Sequence, residues 1–277
     1  TRWTGTLNFP RGCRRPVSCP VEFDLHAGRI TSTDLHDFLS PHAVDRPWYR
    51  FLTGAKQPGP PLLTTLSAKG TLTADHVAVR GFFATHVSSA VELEGGRVRI
   101  SDLTGDFLGG KHRGEWDVDL RSKPATLSGN GTVKGILLAQ LATVMRDGWI
   151  SGVGNGTYRF STSGHTPAEL LENAEGILKF DIRDGALPHL ELAGEGPVRI
   201  HHLFGQVSLR DSKFQMQEGR LETPSGIYQV SGTASSGRTL NVRVTRSGGP
   251  GFNVTGTLAA PRVQVSTGAE TQAALKP

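Results

Sequence analysis

The sequence predicts a mainly β protein: a long antiparallel meander with a few short amphipathic helices. Three observations carry that prediction. Apolar and polar residues alternate with period two from end to end. Turn signals rich in glycine recur at close intervals. Helical crossovers, which parallel strands require, are largely absent. Glycine occurs 35 times in the 277 residues, and only 36% of them are apolar. That balance suits many strands joined by tight turns better than one large helical core.

The alternation can be followed strand by strand. Leu72 and Ala74 alternate with Thr73 and Asp75, and Val87, Ser89, Val91 and Leu93 share a face. Val98 and Ile100 alternate with Arg97, Arg99 and Ser101, and Trp116, Val118 and Leu120 with Asp117 and Asp119. Tyr158 and Phe160 flank Arg159, and Leu178, Phe180 and Ile182 flank Lys179 and Asp181. Val207 with Leu209, Phe214 with Met216, Leu240 with Val242 and Val244, and Val263 with Val265 repeat the pattern. Each run presents one apolar face and one wet face, the signature of antiparallel sheet. Turns are expected at Glu94-Gly95-Gly96, Gly109-Gly110, Asp184-Gly185, Glu218-Gly219, Ser235-Ser236-Gly237 and Ser247-Gly248-Gly249-Pro250. Glycine supplies the positive φ that tight hairpins need.

Three short helices interrupt the meander. Residues 33–39 group Leu35, Phe38 and Leu39 ahead of Pro41, and residues 136–146 put Leu137, Leu141 and Val144 on one stripe. The third has the clearest start: Thr166-Pro167-Ala168-Glu169 reads as a capping box with proline at the first helical position. Each reads most simply as an amphipathic cap over an apolar sheet end. The loop Pro58-Gly59-Pro60-Pro61 divides the chain. Residues 1–57 are expected to form a β/helix portion continuing from an upstream segment outside this chain, residues 62–266 the main strand set, and residues 267–277 a flexible tail.

Charge and chemistry narrow the function classes. The net charge is +5, spread along the chain rather than gathered in one stripe. Aromatics are 7% and do not interleave with Lys and Arg, so a nucleic-acid groove is not expected. Cys13 and Cys19 are near enough to close a small disulfide loop worth about 2–3 kcal/mol, with unpaired structural thiols as the alternative. No apolar run reaches the roughly 18 residues of a membrane-spanning helix. His201 and His202 are adjacent, so a strand would point them to opposite faces, which disfavours a shared metal. Gly152, Gly154 and Gly156 lack the lysine and following helix of a phosphate loop and read as a close-packed strand. Asp117 and Asp119 read as solvated surface carboxylates. No catalytic residue, cofactor or metal is expected, and the protein is expected not to be an enzyme.

Several of these stretches together resemble a known family. Gly135-Ile136-Leu137-Leu138-Ala139-Gln140-Leu141 is followed by Trp149-Ile150-Ser151-Gly152-Val153-Gly154-Asn155-Gly156, then by Thr162-Ser163-Gly164-His165-Thr166-Pro167-Ala168-Glu169-Leu170-Leu171. Asp184-Gly185-Ala186-Leu187 and Gly256-Thr257-Leu258-Ala259-Ala260-Pro261-Arg262-Val263 come next. Upstream, Phe23 to Ile30 with Asp34-Leu35, and Gly105-Asp106-Phe107-Leu108-Gly109-Gly110 with Gly114, fit the same scheme. In order and spacing these resemble the C-terminal region of the AsmA family of bacterial envelope proteins. Pro188-His189 after Leu187 departs from the pattern.

The resemblance implies that the long antiparallel meander is curved into an open half-barrel groove, a gutter with its apolar face inward. It also implies a periplasmic location, with anchorage in the bacterial inner membrane by a segment outside this chain. Large family members are thought to carry glycerophospholipids, and smaller ones are tied to outer-membrane assembly and lipid homeostasis. The expected ligand is therefore a phospholipid or other acyl lipid, with envelope proteins as further partners and no nucleic acid. The candidate groove lining is Val91, Leu93, Val98, Ile100, Trp116, Val118 and Leu120, then Tyr158 and Phe160, Leu178, Phe180 and Ile182, Phe214 and Met216, and Leu240, Val242 and Val244. Two alternatives stay open. One is a non-conducting scaffold for outer-membrane protein assembly. The other is a closed β-sandwich carbohydrate-binding module, whose dry core the same alternation would build.

Overall fold

The computed structural model describes residues 2–10, 19–31, 34, 66–79, 81–164, 166–192, 194, 196–235, 237–246 and 249–266. Alternation becomes strand throughout. The strands are β1 (Trp3–Asn8), β2 (Val21–Thr31), β3 (Ser67–Val79), β4 (Phe82–Glu94), β5 (Arg97–Phe107), β6 (Gly110–Asp119), β7 (Thr126–Leu137) and β8 (Ser151–Ser163). They continue as β9 (Glu175–Glu191), β10 (Pro197–Arg210), β11 (Lys213–Thr223), β12 (Gly226–Ser235), β13 (Thr239–Arg246), β14 (Gly251–Thr257) and β15 (Pro261–Ser266). All 15 lie in chain order in one long open sheet that is not closed into a barrel. Two short helices are described, α1 (Leu138–Val144) after β7 and α2 (Pro167–Glu172) after β8.

One pair departs from the antiparallel order. β2 runs parallel to β3, with Phe23 opposite Gly70 and Ala27 opposite Ala74. Residues 32–66 make the connection, long enough for the crossover a parallel pair demands. Apart from Asp34, the expected helix 33–39, the Pro58–Pro61 loop, the tail 267–277 and Cys13 lie outside the described residues. At the start of the crossover, the Asp34 carboxylate accepts from Thr31 N–H at 2.8 Å and from Thr31 Oγ1 at 2.7 Å. Asp34 N–H in turn faces Thr31 Oγ1 at 3.5 Å. This is the reciprocal arrangement of a capping box. Cys19, just before β2, is not a free thiol.

The Gly95-Gly96 hairpin forms as expected. Both glycines have positive φ, +52° and +85°, between the paired Glu94 and Arg97, the geometry of a type I′ turn. Two other expected turns lie inside strands instead. Asp184 (φ +51°) and Gly185 lie inside the 17-residue β9. A Cβ on Gly185 would stand 2.1 Å from the Ser151 carbonyl oxygen, so glycine there permits close approach of β8. Glu218-Gly219 lies within β11, beside a register shift between Met216 and Gly219. The hairpins flanking β11 are made by Asp211-Ser212, with φ of +50° and +57°, and by Pro224-Ser225. Ser225 N–H donates to Thr223 Oγ1 at 3.2 Å in the second.

α2 begins as the capping box predicts, with Glu169 N–H donating to Thr166 Oγ1 at 3.2 Å. α1 is shorter than expected because β7 continues through Leu137. Its buried stripe is Leu138 and Ala142, while Leu137 stays 39% exposed.

The chain divides into two compact units. The first comprises Thr1–Phe107, Lys111–Gly131 and Ser161–Leu170, and the second Leu108–Gly110, Thr132–Phe160 and Leu171–Pro277. In the first unit the core is one face of the sheet. Ala68, Leu93, Val98 and Val118 are buried together, with Val21, Phe23, Val91, Ile100, Leu120 and Leu127 packed around them. A second cluster, Ala27, Ile30 and Ala74 with Val77 and Val87, continues that face along β2–β4.

Candidate functional site

The candidate site is the apolar face itself, and residue register defines it. In the first unit Val91 stands opposite Ile100 and Leu93 opposite Val98. On β3, Gly70 and Ala68 oppose Val91 and Leu93. Directly opposed residues share a face, and Val118 and Leu120 join the same cluster. Trp116 shares their parity on β6. All seven first-unit candidates therefore lie on one side. The structure adds Val21, Phe23, Ala68 and Leu127 to that side.

The second unit carries a wider apolar face, laid out in lanes across the strands. One lane runs Phe180, Gly205, Gly219, Val230, Val244, Phe252, Val265. The next runs Leu178, Val207, Met216, Gly232, Val242, Val254, Val263. A third brings Leu209, Phe214, Ala234 and Leu240 together. Ile182, Leu203, Leu221 and Tyr228 form the lane on the far side. A Cβ on Gly156 would meet Leu178 Cδ1 at 3.3 Å, which puts Gly156, Tyr158 and Phe160 of β8 on this face too. Tyr158 and Phe160 have ring centroids 6.0 Å apart. The eight strongest additions, Leu203, Val207, Leu221, Tyr228, Val230, Phe252, Val254 and Val263, alternate in sequence as the chosen residues do. At Tyr228 and Val230 the signal was blurred by Ile227, an apolar residue on the opposite face and 48% exposed.

Burial along this face is uneven. Leu221, Tyr228, Val244, Phe252 and Val254 are 4% exposed or less, whereas Leu178 and Phe214 are about 40% exposed. The face thus has a dry part and an uncovered part. α1 lies against it, for Leu138 Cδ2 comes to 3.4 Å of the Cβ position of Gly154, on the side that Tyr158 and Phe160 share. The α1 end is tied to the β12–β13 turn by Arg238 Nη2, which donates to the Met145 carbonyl at 2.9 Å. Cα atoms of β15 come within 8 Å of β9 without pairing, so the β9–β15 sheet is strongly curled.

The reverse face is wet, and several of its charges are paired. Arg97 donates to both oxygens of Asp117, at 3.0 and 2.8 Å. Arg121 grips Asp119 and holds its carboxyl far below the ordinary carboxylate range, chiefly through the side-chain hydrogen bond. His202 stands 2.8 Å from Asp181, and that hydrogen bond, with Arg183 adding to it, lowers the Asp181 carboxyl. Pairs this exposed contribute little net stability, roughly 0–1 kcal/mol each. Among the described residues no group of three His, Cys, Asp or Glu side chains could hold a metal ion. A Cβ on Gly152 would stand 2.8 Å from Arg183 O, and one on Gly156 2.9 Å from Lys179 O, so that glycine run serves close packing against β9.

Comparison with known proteins places the sequence in a family. The model of the AsmA family matches residues 50–227, well over half of the chain. The chain belongs to the AsmA family. Membership is consistent with an envelope, lipid-related role, and the matched stretch includes β3–β11. No curated protein and no solved structure matches this AsmA family member. Among its described residues no helix is long and apolar enough to cross a membrane.

Proposed function

We propose that this AsmA family member binds acyl lipid along the apolar face of its open sheet and serves phospholipid homeostasis of the outer membrane. The observation that carries the reading is the uncovered part of the second-unit face. Leu178 and Phe214 share it with the buried Val244 and Phe252, yet are left about 40% exposed. Withdrawing one methylene from water is worth about 0.8 kcal/mol, so a chain of about sixteen carbons gains on the order of 10 kcal/mol from such a surface. Repeated one-sided strands meet that need without a catalytic group, and we read the protein as a carrier rather than an enzyme. Its place in this reading is the periplasm, held to the inner membrane by a segment outside the chain.

Lipid extraction and mass spectrometry of the purified protein test the proposal. Copurified phospholipid is expected. A protein that emerges lipid-free and transfers no fluorescent phospholipid between vesicles would end it. A second reading, a scaffold for envelope proteins, draws on β1. There Trp3 and Leu7 are 45% and 56% exposed on an edge strand, the kind of surface that pairs with a partner strand. Cross-linking that captures a protein and no lipid would favour it.

A further inference from the structure

The alternation of β13 ends in a charge. Leu240, Val242 and Val244 lie on the apolar face, and Arg246, next in that series, stands directly opposite Tyr228. Its guanidinium carbon lies 5.9 Å from the Tyr228 ring centroid, over a ring that is itself only 4% exposed. Two glycines make room for it. A Cβ on Gly226 would stand 2.9 Å from Arg246 Cζ, and one on Gly249 would stand 3.3 Å from Arg246 Cδ. The side chain is thus laid over Tyr228 at the end of the apolar lanes. A cation over an aromatic face is held there favourably.

What it lacks is an anion. No carboxylate of the described residues lies within 4.0 Å of Arg246, whereas Arg97, Arg121 and Arg183 are each paired. Between Glu222 and Glu270 the sequence has four arginines, at 238, 243, 246 and 262, and no Asp or Glu. Arg238 is occupied by the Met145 carbonyl. Arg243 and Arg262 alternate onto the opposite face, opposite Ser231 and Thr255. Arg246 is the guanidinium that β12–β15 place on the apolar side.

We propose that Arg246 receives the phosphate of a lipid headgroup while the acyl chain extends toward the uncovered part of the second-unit face, at Leu178 and Phe214. The inference rests on the lipid-binding reading and adds the ligand's charge and its orientation. Arginine suits phosphate because its fork of N–H donors matches two phosphate oxygens at once. The hydrocarbon supplies affinity, and Arg246 selects the end of the molecule that stops there.

The full chain, stripped of lipid, is titrated calorimetrically with dihexanoyl phosphatidylglycerol and with dihexanoylglycerol, which lacks the phosphate. The wild type is expected to prefer the phospholipid about tenfold. Arg246→Gln abolishes that preference and leaves diacylglycerol binding unchanged. Arg243→Gln removes the same charge from the other face and keeps the preference. Loss of preference in both variants, retention in Arg246→Gln, or equally tight binding of inorganic phosphate alone overturns the inference while lipid binding stands. A wild type that binds neither lipid overturns both readings. Should Arg246→Gln fail to fold, a phosphatidylglycerol photoreactive in its headgroup decides the matter on the wild type. Labelling near Tyr228 and Gly249 supports the assignment, and labelling confined elsewhere refutes it.

Discussion

Replacing Leu178 by aspartate separates lipid contact from folding. Leu178 is 40% exposed, so about 60% of its side chain is covered, 100 minus 40. Full burial of a leucine is worth about 1.5–3 kcal/mol, so the substitution removes about 1–2 kcal/mol of stability, which an ordinary domain survives. The effect on a bound acyl chain is larger. A carboxylate facing hydrocarbon must keep its water, and so push the chain away, or take up a proton at neutral pH. A shift of about three pK units is needed for the latter, about 4 kcal/mol, which lowers lipid affinity about 1,000-fold. Urea denaturation should show a modestly weakened, cooperative fold, and mass spectrometry of the purified variant should show little lipid. Phe214→Asp, at 39% exposure, should behave alike. A folded Leu178→Asp protein carrying and transferring lipid like the wild type would remove this surface from the lipid path. The buried members cannot make the same test. Val118 is 9% exposed and Val244 2%, so a carboxylate there attacks the core first.

Other perturbations probe the scaffold. Val244→Ala deletes two methyl groups from a site 2% exposed and should destabilise the protein by about 2 kcal/mol in urea, without new lipid selectivity. Gly185→Ala should weaken the fold more than its size implies, because its methyl would meet Ser151 O at 2.1 Å; a melting temperature unchanged from wild type would contradict the close β8–β9 approach. Asp119 titrates far below its ordinary range because of Arg121, so its contribution to stability is present above about pH 4 and fades as pH falls through the depressed value. The difference in melting temperature between wild type and Asp119→Asn should therefore exist at pH 7 and shrink in strong acid; a difference that grows in acid would reverse the sign.

The facing of side chains was written in the sequence, because alternation along a strand is a local property of the pleat. Leu178, Phe180 and Ile182 share a face whatever lies beside them, and so do Leu240, Val242 and Val244. Register then places both groups on the same side of the second unit. The Gly95-Gly96 hairpin and the Thr166–Glu169 cap were legible for the same reason, each being decided within four residues. Asp184-Gly185 and Glu218-Gly219 were misread as turns because a glycine that relieves crowding between strands looks, in sequence, like one that reverses the chain. Only the neighbouring strand tells them apart, through Ser151 O at Gly185 and Met216 Sδ at Gly219.

The parallel β2–β3 pair likewise depends on a partner more than thirty residues away. Above all, tertiary structure decided that Val244 is dry while Phe214 on the same face is open. Both have the same alternation and similar hydrophobicity. What differs is how the sheet curls and what comes to lie over each, and burial is set by those distant elements rather than by the residue's own neighbours in the chain.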